Sequence, residues 1–337
     1  MTTTDLVRPT AVTQPTVAQS LHARPLAAQS LAGRLGDVLA GSRHPDELAA
    51  AEPVDRRDRY ETLIAVYALH TAPLEELGDT ARWQHHPAVA AVKQRLEAQW
   101  LAELDAIPLP ADLPADPVSA MRAIAARNRL PRTYRWLAKQ ASMDELVAFL
   151  SLEGGPDGGF DDLVAACQIG LAGPAKLELA TNYWDEMGDG DGDAVHTVLH
   201  QRMAAALGVT AMPLDLQPEE ALARTAFGGL LATNRWLQPE MIGALGLIEL
   251  QAGPRCRLVL QAFDRLGAPA EAYPFYEVHA EVDPRHGKDW LDNAVTPIAA
   301  ERPEWAQRMV RGAWWRDAVN ADFFAAASPP SARRSAA

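Results

Sequence analysis

The 337-residue chain is long for one average domain and short for three, and its 48% apolar content is enough for a sizeable core. A formal net charge of −13 excludes the Lys/Arg-clustered surface that nucleic-acid binding needs. No run approaches the ~20 apolar residues of a membrane helix, no secretory signal core is visible, and two unspaced cysteines, Cys167 and Cys256, suit a reducing cytoplasm.

Residues 1–45 carry scattered Pro, Thr, Gln and Ser, and read as a flexible arm with a short helix near Leu31–Leu39. From Arg56 onward the pattern is helical. Tyr60–His70 is too apolar and too long for a lone strand. Val89, Val92, Leu96, Trp100, Leu101 and Leu104 recur at helical spacing. Pro108–Pro117 cannot be helical inside, because proline lacks the N–H donor and clashes with the preceding turn. The domain reading is therefore an arm over 1–45, an N-terminal helical extension over 46–116 and a main bundle over 117–330. Within the bundle, helices are expected at about 117–128, 132–153, 158–171, 174–187, 192–206, 217–233, 238–252, 254–266, 270–282, 285–298 and 302–327. Pro174, Pro239 and Pro303 stand where helices begin, and Gly154-Gly155, Gly188 and Gly208 where they end. β-signals are nearly absent, so the fold class is all-α.

Four features carry chemistry. Glu153 closes the apolar run Leu146–Leu152. Tyr183-Trp-Asp-Glu186-Met-Gly188 is followed by His196, ten residues after Glu186. Glu249 directly follows the apolar run Ile242–Ile248. His279, Asp283 and His286 are spaced i, i+4 and i+7, which places them on one face of a helix. Two imidazoles and a carboxylate on one face suit a borderline divalent metal. A carboxylate beside an apolar run, such as Glu249, is costly to bury unless a metal or other cation neutralises it. Three histidines and three or four acids suffice for two ions and differ from the closed Cys/His set of structural zinc. Asp283-Pro284 also reads as a helix N-cap followed by Pro at the first helical position, which would break the shared face. Asp189-Gly-Asp-Gly-Asp193 resembles half of a calcium loop, but Ala194 and His200 stand where the loop glycine and closing Glu belong. The pair His85-His86 reads as a surface feature. Ferritin-like bundles use two Glu-x-x-His pairs, and none occurs at these positions.

The stretch from Glu153 to Trp290 resembles the haem-oxygenase-like di-iron oxidases and oxygenases, a family related in fold to haem oxygenase, thiaminase II and pyrroloquinoline-quinone synthase. Asp185-Glu186-Met187-Gly188 with His196 matches the family's first pair. Glu249 lies thirty residues before His279, and His279, Asp283 and His286 match its closing triad. The resemblance implies a haem-oxygenase-like helical bundle holding two iron ions, with O2 as co-substrate and an external reductant. Glu153 stands for the family's early acid, with Asp161 and Glu178 as alternatives. The expected division is Glu153, Glu186 and His196 on one ion, Glu249, His279 and Asp283 on the other, and His286 on either. Asp185 or Glu281 would orient the imidazoles. The implied activity is oxidation of a small amine, amino acid or carboxylic acid by N-oxygenation, desaturation or C–C cleavage. Arg224, Arg255, Arg257 and Arg265 are the cations available for a carboxylate pocket. Rival readings are a metal-free or haem-binding protein of the same fold, and a non-catalytic interaction protein. The apolar helix expected over Trp305–Ala326 permits a homodimer face, although burial within the chain satisfies it equally.

Overall fold

Ser30 opens the first helix, its hydroxyl accepting from Gly33 N at 3.1 Å. The computed structural model describes residues 30–154 and 159–328. Residues 1–29, most of the expected flexible arm, lie outside them. The described helices are α1 (Leu31–Leu39), α2 (Arg56–Thr71), α3 (Pro87–Asp105), α4 (Pro117–Arg127), α5 (Arg132–Lys139), α6 (Met143–Glu153) and α7 (Phe160–Cys167). They continue as α8 (Gly173–Glu186), α9 (His196–Leu207), α10 (Glu219–Ala232), α11 (Gln238–Leu266), α12 (Tyr273–Asp289), α13 (Thr296–Glu301) and α14 (Pro303–Ala327). Short single turns join some of them, and no strand occurs among the described residues. The all-α reading holds. No described helix is long and apolar enough to cross a membrane.

Local chemistry explains most boundaries. The helix expected over 132–153 is two helices, because Ser142 and Glu145 form a capping box that starts α6 afresh. Pro174, Pro239 and Pro303 fall in the first turns of α8, α11 and α14 as expected. Gly208 ends α9 at φ +71°.

Two prolines do not break their helices, contrary to expectation. α11 runs through Pro254 and α12 through Pro284. A proline at 284 leaves the carbonyl of Ala280 without its helical donor. Arg257 of α11 supplies one, with Nη2 2.7 Å from Ala280 O. Gly253 of α11 sits against the proline ring; a Cβ there would lie 3.0 Å from Pro284 Cδ. α12 therefore stays helical across Asp283, which is a mid-helix residue and not an N-cap.

α11 is the central helix, with α12, α14, α5 and α4 packed around it. It meets α14 at backbone distance: a Cβ on Gly243 would lie 1.8 Å from Met309 O, and one on Gly312 2.0 Å from Glu240 O. Beyond α12 the chain forms a π-helical turn, Trp290–Val295. Trp290 fills the space left by Gly246 and donates Nε1–H to Ile242 O at 3.0 Å.

Leu35 of α1, Val66 of α2 and Leu96 of α3 share one apolar core with Phe227 of α10, Leu247 of α11 and Trp290. A second core gathers Leu137, Phe149, Met203, Val259, Tyr276 and Phe323. Along α11 the first core ends near Leu250 and the second begins at Cys256. Glu249 stands at that seam. The apolar side of α14, including Met309, Trp315 and Phe323, is buried within the chain.

Candidate metal centre

Four helices meet at the seam. α8 brings Asn182, Asp185 and Glu186 on one face, α9 begins with His196, α11 brings Glu249, and α12 brings His279, Asp283 and His286. Two groups form. Ligand atoms of Glu186, His196 and His279 lie within 4.8 Å of one another, and so do those of Glu249, Asp283 and His286. All but half-buried His279 are buried, Glu249 at 3% exposure and Asp283 at 2%.

The ring nitrogens are assigned by their partners. His279 Nδ1 lies 2.6 Å from the Phe275 carbonyl, which can only accept. That nitrogen carries the hydrogen, and Nε2 is left for the site. His286 Nε2 lies 2.5 Å from Asp185 Oδ2, so Nε2–H donates and Nδ1 faces Glu249 Oε2 at 3.6 Å. Asp185 thus orients an imidazole, the role expected for it, whereas Glu281 is exposed. Asn182 Nδ2 donates to Glu249 Oε1 at 2.8 Å and fixes that carboxylate's rotamer. Sequence reasoning missed Asn182, although it lies one helical turn before Glu186 and shares its face.

His196 Nδ1, Asp283 Oδ2 and His286 Nδ1 are buried without a hydrogen-bond partner. His196 Nδ1 sits 2.8 Å from Glu186 Oε2 without forming a hydrogen bond. Orphaned buried nitrogens and oxygens are costly unless something binds them. Burial first, then the charges of Glu249 and Glu186, hold Asp283 well above the usual carboxylate range, with Arg257 only partly opposing. Burial also lowers His279 to about 4, which keeps it neutral at pH 7. Burial works to lower His286 as well, but the Glu249 and Asp185 carboxylates outweigh it and raise it to about 9. Three carboxylates and three imidazoles crowded at an apolar seam fit divalent cations with mixed O/N preference, iron among them.

Two expectations need correction. The division of ligands differs: His279 joins Glu186 and His196, and His286 joins Glu249 and Asp283. Sharing a helix face does not mean sharing an ion, because seven residues span roughly 10 Å along the axis. Glu153 lies in neither group. Its carboxylate accepts from the Tyr134 hydroxyl, and its carbonyl accepts from Arg224. The alternatives Asp161 and Glu178 are also outside the groups. Glu178 accepts from Asn293 Nδ2 at 2.8 Å, and burial, Asp162 and Glu186 hold the Asp161 carboxyl up. His86 caps α3 by accepting from Ala88 N.

A helical bundle with two adjoining carboxylate/imidazole groups defines a metalloprotein class, and comparison with known families narrows it. The chain belongs to the family of iron-containing redox enzymes, whose model matches residues 147–321. The fold is accordingly the haem-oxygenase-like one, and the function is of oxidoreductase type. All six residues of the two groups fall within the matched span. A solved structure from Nostoc punctiforme, described as a CADD-like protein of unknown function, is 18% identical, with a TM-score of 0.47 over 66% of this chain and 96% of that one. No curated protein matches the chain.

Proposed function

We propose that the protein is a non-haem di-iron oxidase or oxygenase acting on a small organic substrate, with O2 as co-substrate and an external reductant. The observation that carries this reading is the set of orphaned ligand atoms, at least one in each three-residue group, in a family of iron-containing redox enzymes. Glu186, His196 and His279 would hold one ion, and Glu249, Asp283 and His286 the other. When bound, a pair of ferrous ions supplies the electrons for O2 reduction.

The chain's own residues do the rest. The Phe275 carbonyl holds the proton on His279 Nδ1 and presents Nε2. Asp185 holds the proton on His286 Nε2 and presents Nδ1. Asn182 keeps Glu249 aimed inward. Glu186 and Glu249, joined by Asp283 when a cation displaces its proton, provide the negative charge that draws divalent cations into an otherwise apolar seam. The Phe275 ring, packed 4.3 Å from the His279 ring, limits water at the site, which strengthens these interactions.

The test compares oxygen uptake by Fe(II)-supplied wild type with Glu249→Ala and His279→Ala. Loss of iron and of oxygen uptake in both variants, with helical circular dichroism retained and no Soret band in any sample, is the expected result. Undiminished oxygen uptake in both would refute the assignment.

A further inference from the structure

The N-terminal layer helps to wall a cavity that contains none of the metal-group residues. α2 and α3, together with α10 and α14, surround about 730 Å³ of space, the size of a small-molecule site. The first residues of α2 and α10 and the last turns of α3 and α14 open onto it. Two helix N-termini and two C-termini therefore offset each other there, and side chains set the sign of the field.

Glu103, Glu219, Glu220 and Asp322 line the cavity, with Arg56 as its single cationic wall residue. Glu103 is paired with Arg59, whose Nη2 lies 2.7 Å from Oε2. Glu219 Oε1 lies 3.4 Å from Arg56 Nε, and Arg56 Nη2 also donates to the Tyr60 hydroxyl at 3.1 Å. Glu220 and Asp322 make no ion pair or hydrogen bond among the described residues. Of the cavity's carboxylates, two are paired and two are left over. Burial and then the Glu220 charge raise the Asp322 carboxyl, with Arg56 only partly opposing, as befits two unpaired acids on one space.

The rest of the wall is aromatic and apolar. Tyr60 and Trp100 meet edge to face with centroids 5.1 Å apart, and Ile107 and Val319 add aliphatic surface. The Tyr60 ring already carries the Arg59 and Arg56 guanidiniums at 5.0 and 5.9 Å. Carboxylates beside aromatic rings suit organic ammonium groups, which gain from both. A metal ion fits less well, because it needs several oxygens converging on one point. Among the described residues, only the two groups at the seam bring three such ligand atoms within 4.8 Å of one another.

We propose that this cavity binds a small organic dication, an α,ω-diamine whose ammonium groups neutralise Glu220 and Asp322 and whose methylene chain lies against Ile107 and Val319. The site is separate from the metal centre and stands or falls independently of the iron reading. The test titrates the metal-free full chain calorimetrically, at low salt, with 1,5-diaminopentane and with 1-aminopentane. The diamine should bind at least ~5-fold tighter, more than the roughly 2-fold that two equivalent ends give by statistics. Glu220→Gln/Asp322→Asn should bring the two ligands to within that roughly 2-fold margin. The chain's net charge of −13 attracts any cation. Glu75→Gln/Glu76→Gln, on the exposed turn Leu74–Leu77, removes the same charge outside the cavity and should leave the preference intact. Ala325→Trp, at an exposed position of the cavity wall, keeps every charge and should weaken diamine binding by filling the space. Equal affinities in the wild type would overturn the proposal. So would a preference that survives Glu220→Gln/Asp322→Asn, one lost equally in the control, or diamine binding unaffected by Ala325→Trp. If a variant does not fold, the wild-type ligand comparison decides.

Discussion

His286 and His279 sit seven residues apart on one helix and titrate in opposite directions, which fixes the pH response of the metal-free protein. An unfolded histidine titrates near ~6.5. His286 is raised to about 9, so its contribution to stability is complete below ~6.5 and disappears as pH rises through 9. His279 is lowered to about 4, so its contribution is present above ~6.5 and is lost as pH falls toward 4. Melting curves of the metal-free protein should therefore give lower midpoints at both ends of the range from pH 4 to 9, and His286→Gln should remove only the alkaline fall. Ligation through His286 Nδ1 must also expel its proton, so iron affinity should tighten between about pH 6.5 and 9. An affinity flat across that window would contradict ligation by His286. Asp185→Ala should cost roughly 10–100-fold in iron affinity, read by competition with a chromophoric chelator, because it removes the acceptor that orients His286. The six grouped residues were all visible in the sequence, His279, Asp283 and His286 at helical spacing, Glu249 behind an apolar run and Glu186 and His196 as a pair ten apart, with Asp185 as a neighbour. Glu153 misled because an acid at the end of an apolar helix marks burial, and burial here is satisfied by the Tyr134 hydroxyl. Nothing in the spacing shows which of the ligands gather around one ion, since that depends on how α8 and α9 approach α12.

Helix crossings hold the ligands in place, and the closest are made by glycine. At Gly243 and Gly312, α11 and α14 touch through backbone atoms, with no room for a methyl group. Gly243→Ala should destabilise by about 1–3 kcal/mol or more in denaturant titration, because the obstructing atom is the Met309 carbonyl and cannot rotate away. A neutral outcome would mean the two helices can slide apart. Gly287 serves the same purpose at the metal centre, where a Cβ would lie 3.1 Å from the Glu249 backbone. These contacts explain where reading by pattern succeeded and failed. Helix starts at Pro174, Pro239 and Pro303 followed from local chemistry. The breaks expected at Gly253-Pro254 and Asp283-Pro284 did not occur. Gly253 packs on the Pro284 ring and Arg257 caps the Ala280 carbonyl, and both are tertiary contacts invisible to a local window. The break at Ser142 is different: the Ser142-x-x-Glu145 spacing is that of a capping box, a local signal that the single expected helix over 132–153 did not use.

Across the molecule, α1 to α3 share an apolar core with α10, α11 and Trp290. Leu35, fully buried in α1, should therefore matter to the whole fold. Leu35→Ala is expected to cost about 2–5 kcal/mol in a single unfolding transition; a separate early transition would show that the N-terminal layer unfolds alone. Leu104 before the Pro-rich segment 108–117 and Met121 after it belong to one apolar core, and a sequence pattern cannot tell such a connection from a linker. The central claim is that the seam between the two cores holds two iron ions. Anaerobic titration of the metal-free chain with Fe(II), followed by Mössbauer spectroscopy of the 57Fe-loaded protein, tests it most directly. The account predicts two high-spin ferrous ions per chain, one lost in Glu186→Ala and the other in Asp283→Ala. Saturation without iron uptake, or unchanged uptake in both variants, would contradict it.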